Sequence, residues 1–288
     1  VPINVSYYDG VDNFGDSLNA LFWPALLDIK STGSDRAILG IGTIINDTHV
    51  RKFKSCELTI VGSGIGYGTL QKLPAATRIS FVRGPLTCET IGIDTAYGIG
   101  DPAYVAQQVL GLDATSTGPK QISFLPHFES AYLYRWDWVC KAIGFCYISP
   151  AQTFPSVYNQ IRNSSVLITE SLHGAVVADS MRIPWIAVKT RDEINEFKWQ
   201  DFLSSLGMHG GLMELTPPTP GRRVVFNPQS LWKAGKRLMK LANASVSLSS
   251  DSVSEVMKER ILAKLANLKQ AVLDGDFSRI PLAKDLLR

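Results

Sequence analysis

The chain has 288 residues, 45% of them hydrophobic and 19% charged, with a formal net charge of +3 at neutral pH. That size and apolar content predict a globular protein with a large interior, long enough for two domains. So small a charge, with no long basic run, gives no footing for nucleic acid.

Cys56, Cys88, Cys140 and Cys146 form no CxxC pair and no ligand set with the four histidines. They read as reduced core thiols of a cytosolic protein, and no metal is expected. No apolar stretch reaches the roughly 18 residues of a membrane span.

Strand-like and helix-like patterns alternate along the chain, which predicts an α/β protein with parallel sheets and helices on both faces. Residues 3–8 read as a first strand, without the charged-then-apolar pattern of a signal peptide. Residues 17–27 follow as a helix. Between them lies Asn13-Phe14-Gly15-Asp16. Asp16 either caps that helix or, with Asn13 and nearby Asp9, faces a cleft and binds sugar hydroxyls.

Strands at residues 37–39 and 57–61 each end in glycines. The run 62–68 lacks dinucleotide-loop spacing but suits close backbone approach to a ligand. A strand at 79–82 leads to Arg83, and Pro85 takes the favoured first position of a helix. Free N–H groups at that helix start, joined by the guanidinium, would hold a phosphate or carboxylate. The plainer alternative is a surface arginine capping a neighbour. In Gly100-Asp101-Pro102-Ala103, Asp101 reads as a cap and Pro102 as the opening of a helix. Residues 111–120 lack periodicity and read as a linker.

The second half opens with a strand at 121–125 that delivers Pro126-His127 to the crevice beyond the strand ends. A helix at 133–143 and a short strand at 146–148 follow. The strand at 166–168 then runs into Thr169-Glu170-Ser171-Leu172-His173-Gly174, ahead of a helix. This strand-to-helix corner faces the ligand crevice of an open α/β sheet. His173 is its one side chain that ordinarily trades protons near neutrality. A strand at 185–188 precedes Lys189, Arg191 and Lys198, the last of which is the preferred cationic site group. A helix at 197–206 follows.

Prolines at 217–220 break the chain before two final helices. In the first, Leu231, Ala234, Leu238 and Leu241 share one face, while Lys233, Lys236, Arg237 and Lys240 share another. That helix either packs on its own domain with a solvated basic face or rests on an anionic membrane. The second, with Met257, Ile261, Leu265 and Leu268, reads as core or subunit contact. The expected division is a Rossmann-like domain at 1–115, another at 120–225 across a cleft, and a C-terminal helical extension at 226–288.

With Arg83-Gly84-Pro85-Leu86, Gly100-Asp101-Pro102-Ala103, Pro126-His127 and Glu170 to Ala175 in this order, behind Asn13 to Asp16, the chain resembles the polysaccharide pyruvyl transferase family. Bacterial enzymes that build pyruvate ketals on exopolysaccharide repeat units are the most similar members. The resemblance implies a GT-B-like fold, phosphoenolpyruvate as donor, no metal or other cofactor, and a hexose acceptor. That acceptor would sit on a polyprenyl-diphosphate-linked oligosaccharide at the inner face of the cytoplasmic membrane. Arg83 and His173 match the family's donor-holding residues, with Ser171, Leu172 and Gly174 around them. Some members carry a second arginine where this chain has Ser171, which leaves Lys198 or Arg191 to replace it.

The chemistry fits these residue types in its own right. A donor bearing phosphate and carboxylate requires converging cations. Protonation of its methylene carbon makes C2 electrophilic, and His173 is the expected acid. Glu170, Asp16 or His127 would accept a hydroxyl proton, unranked. Two alternatives stand beside this: a GT-B glycosyltransferase using a nucleotide sugar, with Glu193 or Glu196 at the ribose, and a non-catalytic oligosaccharide-binding protein.

Overall fold

The computed structural model describes residues 3–8, 10–27, 35–115, 118–219 and 228–287; Asp9, an expected acceptor ligand, lies outside the described residues. The first half runs β1 (Asn4–Ser6), α1 (Phe14–Leu27), β2 (Arg36–Leu39), α2 (Asp47–Val50), β3 (Glu57–Val61), β4 (Arg78–Phe81), α3 (Pro85–Ile91) and α4 (Ala106–Leu110). Its four strands form a parallel sheet in the order β1-β2-β3-β4.

The second half runs β5 (Gln121–Leu125), α5 (Phe128–Leu133), α6 (Trp136–Ile143), β6 (Cys146–Tyr147), α7 (Phe154–Arg162), β7 (Ser164–Thr169), α8 (Leu172–Ser180), β8 (Trp185–Lys189), α9 (Glu196–Ser205) and β9 (Met213–Glu214). These strands form a second parallel sheet in the order β6-β5-β7-β8-β9. The chain therefore leaves β5 towards one side and then returns to its other side. That reversal sets a switch point between the loops after β5 and β7, where ligands of open α/β sheets bind. Helices α10 (Pro228–Leu241) and α11 (Asp251–Asp274) close the fold.

Parallel strands are buried on both faces, which explains their unbroken apolar runs. Alternation sends Ile38 and Phe81 into a central cluster and Ala37, Leu39 and Ile79 into an outer one. In the second sheet Leu125, Leu167 and Trp185 join the same central cluster, while Phe124, Ile168 and Ile186 meet α6 and α10 outside. The central cluster is thus continuous across both sheets, through Phe22 of α1, Val176 of α8 and Ile261 of α11. The expected core residues Met257, Ile261, Leu265 and Leu268 are all buried there. Beyond α11 the chain returns to the first sheet, where Leu282 bridges Arg78 and Leu287 bridges Ile93.

Helix α10 buries Ala234, Leu238 and Leu241, leaving Lys233, Lys236, Arg237 and Lys240 exposed. Of the cysteines, Cys88 and Cys140 are buried but Cys56 and Cys146 only half-buried, and all four are thiols. Among the described residues no helix is long and apolar enough to cross a membrane.

Two local expectations need correction, and one helix carries no expectation. Helix α1 starts at Phe14, so Asp16 lies inside its first turn and does not cap it. The helix expected at 133–143 is two, because Arg135 leaves the helical region and restarts the chain by pairing with Asp137 at 2.7 Å. Helix α7 follows Thr153, with Pro155 in its opening turn, where proline is tolerated.

Candidate active site

Loops from the carboxyl ends of both sheets enclose a cavity of about 470 Å³. The first half contributes Asn13, Asp16, Thr43 and Tyr67; the second contributes His127, Ser171, Leu172, His173, Arg191 and Lys198.

The corner after β7 is held by its own hydrogen bonds. Ser171 N–H donates to Thr169 Oγ1 at 2.9 Å, and Ser171 Oγ caps α8 by accepting from Gly174 N–H at 3.4 Å. Gly174 lets the corner pack closely, since a Cβ there would press on Leu125 and Thr169 Oγ1. His173, in the first turn of α8, is thereby aimed across the interface. Its side chain is 13% exposed, and its Nε2 lies 3.6 Å from Asp101 Oδ2.

Neither of those two atoms has a hydrogen-bond partner among the described residues. The other Asp101 oxygen accepts from Ala103 N–H at 2.9 Å, as the capping reading predicts. Gly15 leaves room for the ring on its Nδ1 side, where a Cβ would collide with that nitrogen. Three separate sequence motifs therefore meet at one histidine.

Asn13 donates to Asp16 Oδ2 at 2.7 Å and turns the carboxyl towards the cavity. Burial pushes the Asp16 pKa up, opposed by the nearby charges of His173 and Lys198 and by the Asn13 hydrogen bond. Lys198 is buried and donates from Nζ to Tyr67 Oη at 3.1 Å. Burial, with the neighbouring Arg83 charge, pushes its pKa down to about 8. His127 is pushed down to about 3 by burial and then by Lys198 and Arg191, so it is neutral near neutral pH. Its Nδ1, 3.7 Å from Glu129, makes no ion pair in that state. Arg191 reaches the cavity wall held by Glu129 at 2.8 Å and Glu193 at 3.2 Å.

Two expected site residues sit elsewhere. The Arg83 side chain is 1% exposed and does not line the cavity. Its Nε donates to Asp201 at 3.1 Å, and its terminal nitrogens donate to Thr43 Oγ1 at 2.7 Å and Ile65 O at 2.9 Å. Asp201 of α9 also accepts from Thr87 N–H at 2.9 Å. The anion site expected at the start of α3 exists, but the protein's own carboxylate fills it. A buried guanidinium needs such an internal counter-charge.

Glu170 is likewise fully buried, accepting from Thr190 N–H at 2.7 Å, Thr190 Oγ1 at 2.6 Å and His127 N–H at 3.2 Å. It fastens the loops after β5, β7 and β8 together and does not line the cavity. Asp16 and His127 are the two expected proton acceptors that do.

Thr43 and Tyr67, from the two glycine-rich loops, line the cavity, as do Asn46 and His49, which no sequence signal marked. Tyr67 lies in the glycine-rich run already marked for ligand approach. Lys189 is tied to Glu196 at 2.7 Å and Glu214 at 3.0 Å, while Glu193 reaches the cavity wall. Among the described residues, no group of three or more His, Cys, Asp or Glu is arranged to hold a metal ion.

The model of the polysaccharide pyruvyl transferase family matches residues 4–192. The succinoglycan biosynthesis protein ExoV of Rhizobium meliloti (strain 1021) is 38% identical over 199 residues, 68% of this chain and 62% of that protein. The aligned region thus spans less than two thirds of that relative. Among solved structures, the dodecameric iron-containing heptosyltransferase TibC, in complex with ADP-D-beta-D-heptose, aligns with 95% of this chain and 78% of its own. That alignment has 13% identity and a TM-score of 0.25, too low to carry an argument.

Proposed function

This chain belongs to the polysaccharide pyruvyl transferase family, and from that premise we propose that it moves pyruvate from phosphoenolpyruvate onto a terminal hexose. The product is a cyclic ketal on a lipid-linked exopolysaccharide repeat unit, with release of phosphate. The observation that carries this reading is the convergence of His173, Lys198, Arg191 and the start of α8 on one cavity. Such a site supplies an acid and an anion-binding field together.

In this reading Lys198 and the opening turn of α8 hold the donor's phosphate and carboxylate, and Arg191 adds a partly neutralised charge at the wall. Arg83 acts from beneath by holding Thr43. Asp101 orients His173 through Nε2, so that Nδ1 serves the cavity. Protonated His173 gives a proton to the methylene carbon, which leaves C2 electrophilic. One hexose hydroxyl attacks C2, phosphate departs, and a second hydroxyl closes the ketal. Of the two hydroxyl protons, one restores the histidine and the other leaves with phosphate. Asp16, whose raised pKa suits a transient proton acceptor, relays the second of these protons from the hydroxyl to phosphate. Holding both reactants in one cavity replaces a bimolecular encounter by an oriented one.

The same reading takes the two sheets as the lobes of a GT-B-like enzyme working at the cytoplasmic membrane. The exposed Lys233, Lys236, Arg237 and Lys240 face of α10 then meets anionic lipid. Unchanged sedimentation with anionic vesicles after K233Q/K236Q/R237Q/K240Q would remove that membrane contact. The reaction itself is tested by phosphate release from phosphoenolpyruvate in the presence of neutral oligosaccharides. Release that depends on the acceptor, and is abolished in His173→Ala, is expected. Full activity in that variant refutes the assignment.

A further inference from the structure

Beside the active-site cavity lies a second groove of about 680 Å³, between α5 and the segment after β6. Phe128, Glu129 and Arg191 line both spaces, so the two adjoin along that wall. Three aromatic rings, Phe128, Tyr132 and Tyr147, line the groove. Tyr132 is 57% exposed, and Phe128, four residues earlier on α5, shares its face. Tyr147 comes from the end of β6. Asp12, Glu129 and Ser149 line the same groove and add oxygen acceptors to it.

The groove is anchored to the active site. Pro150 O accepts from Phe14 N–H at 2.9 Å, which ties the segment after β6 to the start of the helix that presents Asp16. Its one cation, Arg191, is already engaged by Glu129 and Glu193. This chemistry is poor for phosphate. It suits a neutral ring with an apolar face of C–H groups and an edge of hydroxyls, because tyrosine is both an apolar surface and a polar tip.

We propose that this groove binds the inner sugar units of the acceptor oligosaccharide, with a pyranose ring stacked on Tyr132, so that only the terminal hexose enters the cavity. The proposal rests on the transferase reading for the identity of the occupant. It makes length, rather than the terminal sugar alone, a determinant of acceptor choice.

Calorimetric binding to the full chain tests it without requiring turnover. The probes are neutral tetrasaccharides ending in glucose, galactose or mannose, each compared with the methyl glycoside of the same sugar. At least one tetrasaccharide should bind about tenfold more tightly than its methyl glycoside. Tyr132→Ala should erase most of that advantage and leave methyl glycoside affinity unchanged, while Tyr132→Phe should retain it. Equal affinity for long and short probes, equal weakening of both by Tyr132→Ala, or no binding of any tetrasaccharide would each overturn the proposal. Phosphate release from phosphoenolpyruvate is scored separately. Its absence alongside Tyr132-dependent binding would remove the transferase reading and leave the oligosaccharide groove standing.

Discussion

Asp101 Oδ2 lies 3.6 Å from His173 Nε2 across the junction of the two halves, and both atoms are buried without a hydrogen-bond partner among the described residues. A carboxylate facing one imidazole nitrogen fixes the ring's orientation and tautomer, the logic that a third residue serves in nucleophile–base pairs. Asp101 is therefore a positioning residue for His173.

In Asp101→Asn, the side-chain oxygen can still cap Ala103, but an amide N–H then faces Nε2 and demands the opposite tautomer. We expect kcat to fall about 100-fold, with donor KM and melting temperature little changed. Nitrogen-15 spectra of the labelled histidine should show the Nε2–H tautomer in the natural protein and Nδ1–H in the variant. An unchanged tautomer together with unchanged kcat would show that Asp101 only caps its turn.

Much of this site was legible because its strands and corners are local patterns. Apolar runs gave β3 and β5 to the residue, and the polar cluster after β7 marked the switch-point corner. Helix α5 was hidden because its aromatic pattern runs on into α6, and α7 because Pro155 reads as a break until it is placed in a first turn. The partnership of Arg83 with Asp201 joins positions 118 apart in sequence, so no local spacing announces it. Asp101 was seen as a cap, which accounts for one of its oxygens. The other is explained only when α8 is brought alongside.

The Arg83–Asp201 pair separates a supporting arginine from a ligand-binding one. Arg83→Ala leaves a buried carboxylate unpaired and should destabilise the fold by about 3–5 kcal/mol. A double variant, Arg83→Met with Asp201→Asn, should recover much of that loss in a denaturant titration. Donor affinity should stay low in both variants, because methionine cannot donate to Thr43 Oγ1 or Ile65 O as the guanidinium does. An Arg83→Ala protein that keeps full stability but loses donor binding would instead put the guanidinium in direct contact with the donor.

Lys198 makes donor binding depend on pH in a direction that its burial fixes. With a pKa pushed down to about 8, the free protein holds an ammonium below that pH and an amine above it. If the ammonium grips an anionic donor, kcat/KM for phosphoenolpyruvate should fall above pH 8, about tenfold per pH unit while other groups hold their charge. At saturating donor the fall in kcat should begin at higher pH, since a bound anion favours the charged lysine. Lys198→Met should show a low profile without that limb.

Stability must move the other way. The folded pKa lies below the ordinary value of 10.5, so the unfolded chain binds more protons between pH 8 and 10.5. The Lys198 contribution to the stability of the unliganded protein therefore rises across that window, while the thermal shift produced by donor shrinks. Melting curves of natural and Lys198→Met proteins, with and without phosphoenolpyruvate, read both trends at once. A donor-induced shift that stays constant from pH 7 to 10 in the natural protein would remove Lys198 from the donor's grip, whatever the variant's activity.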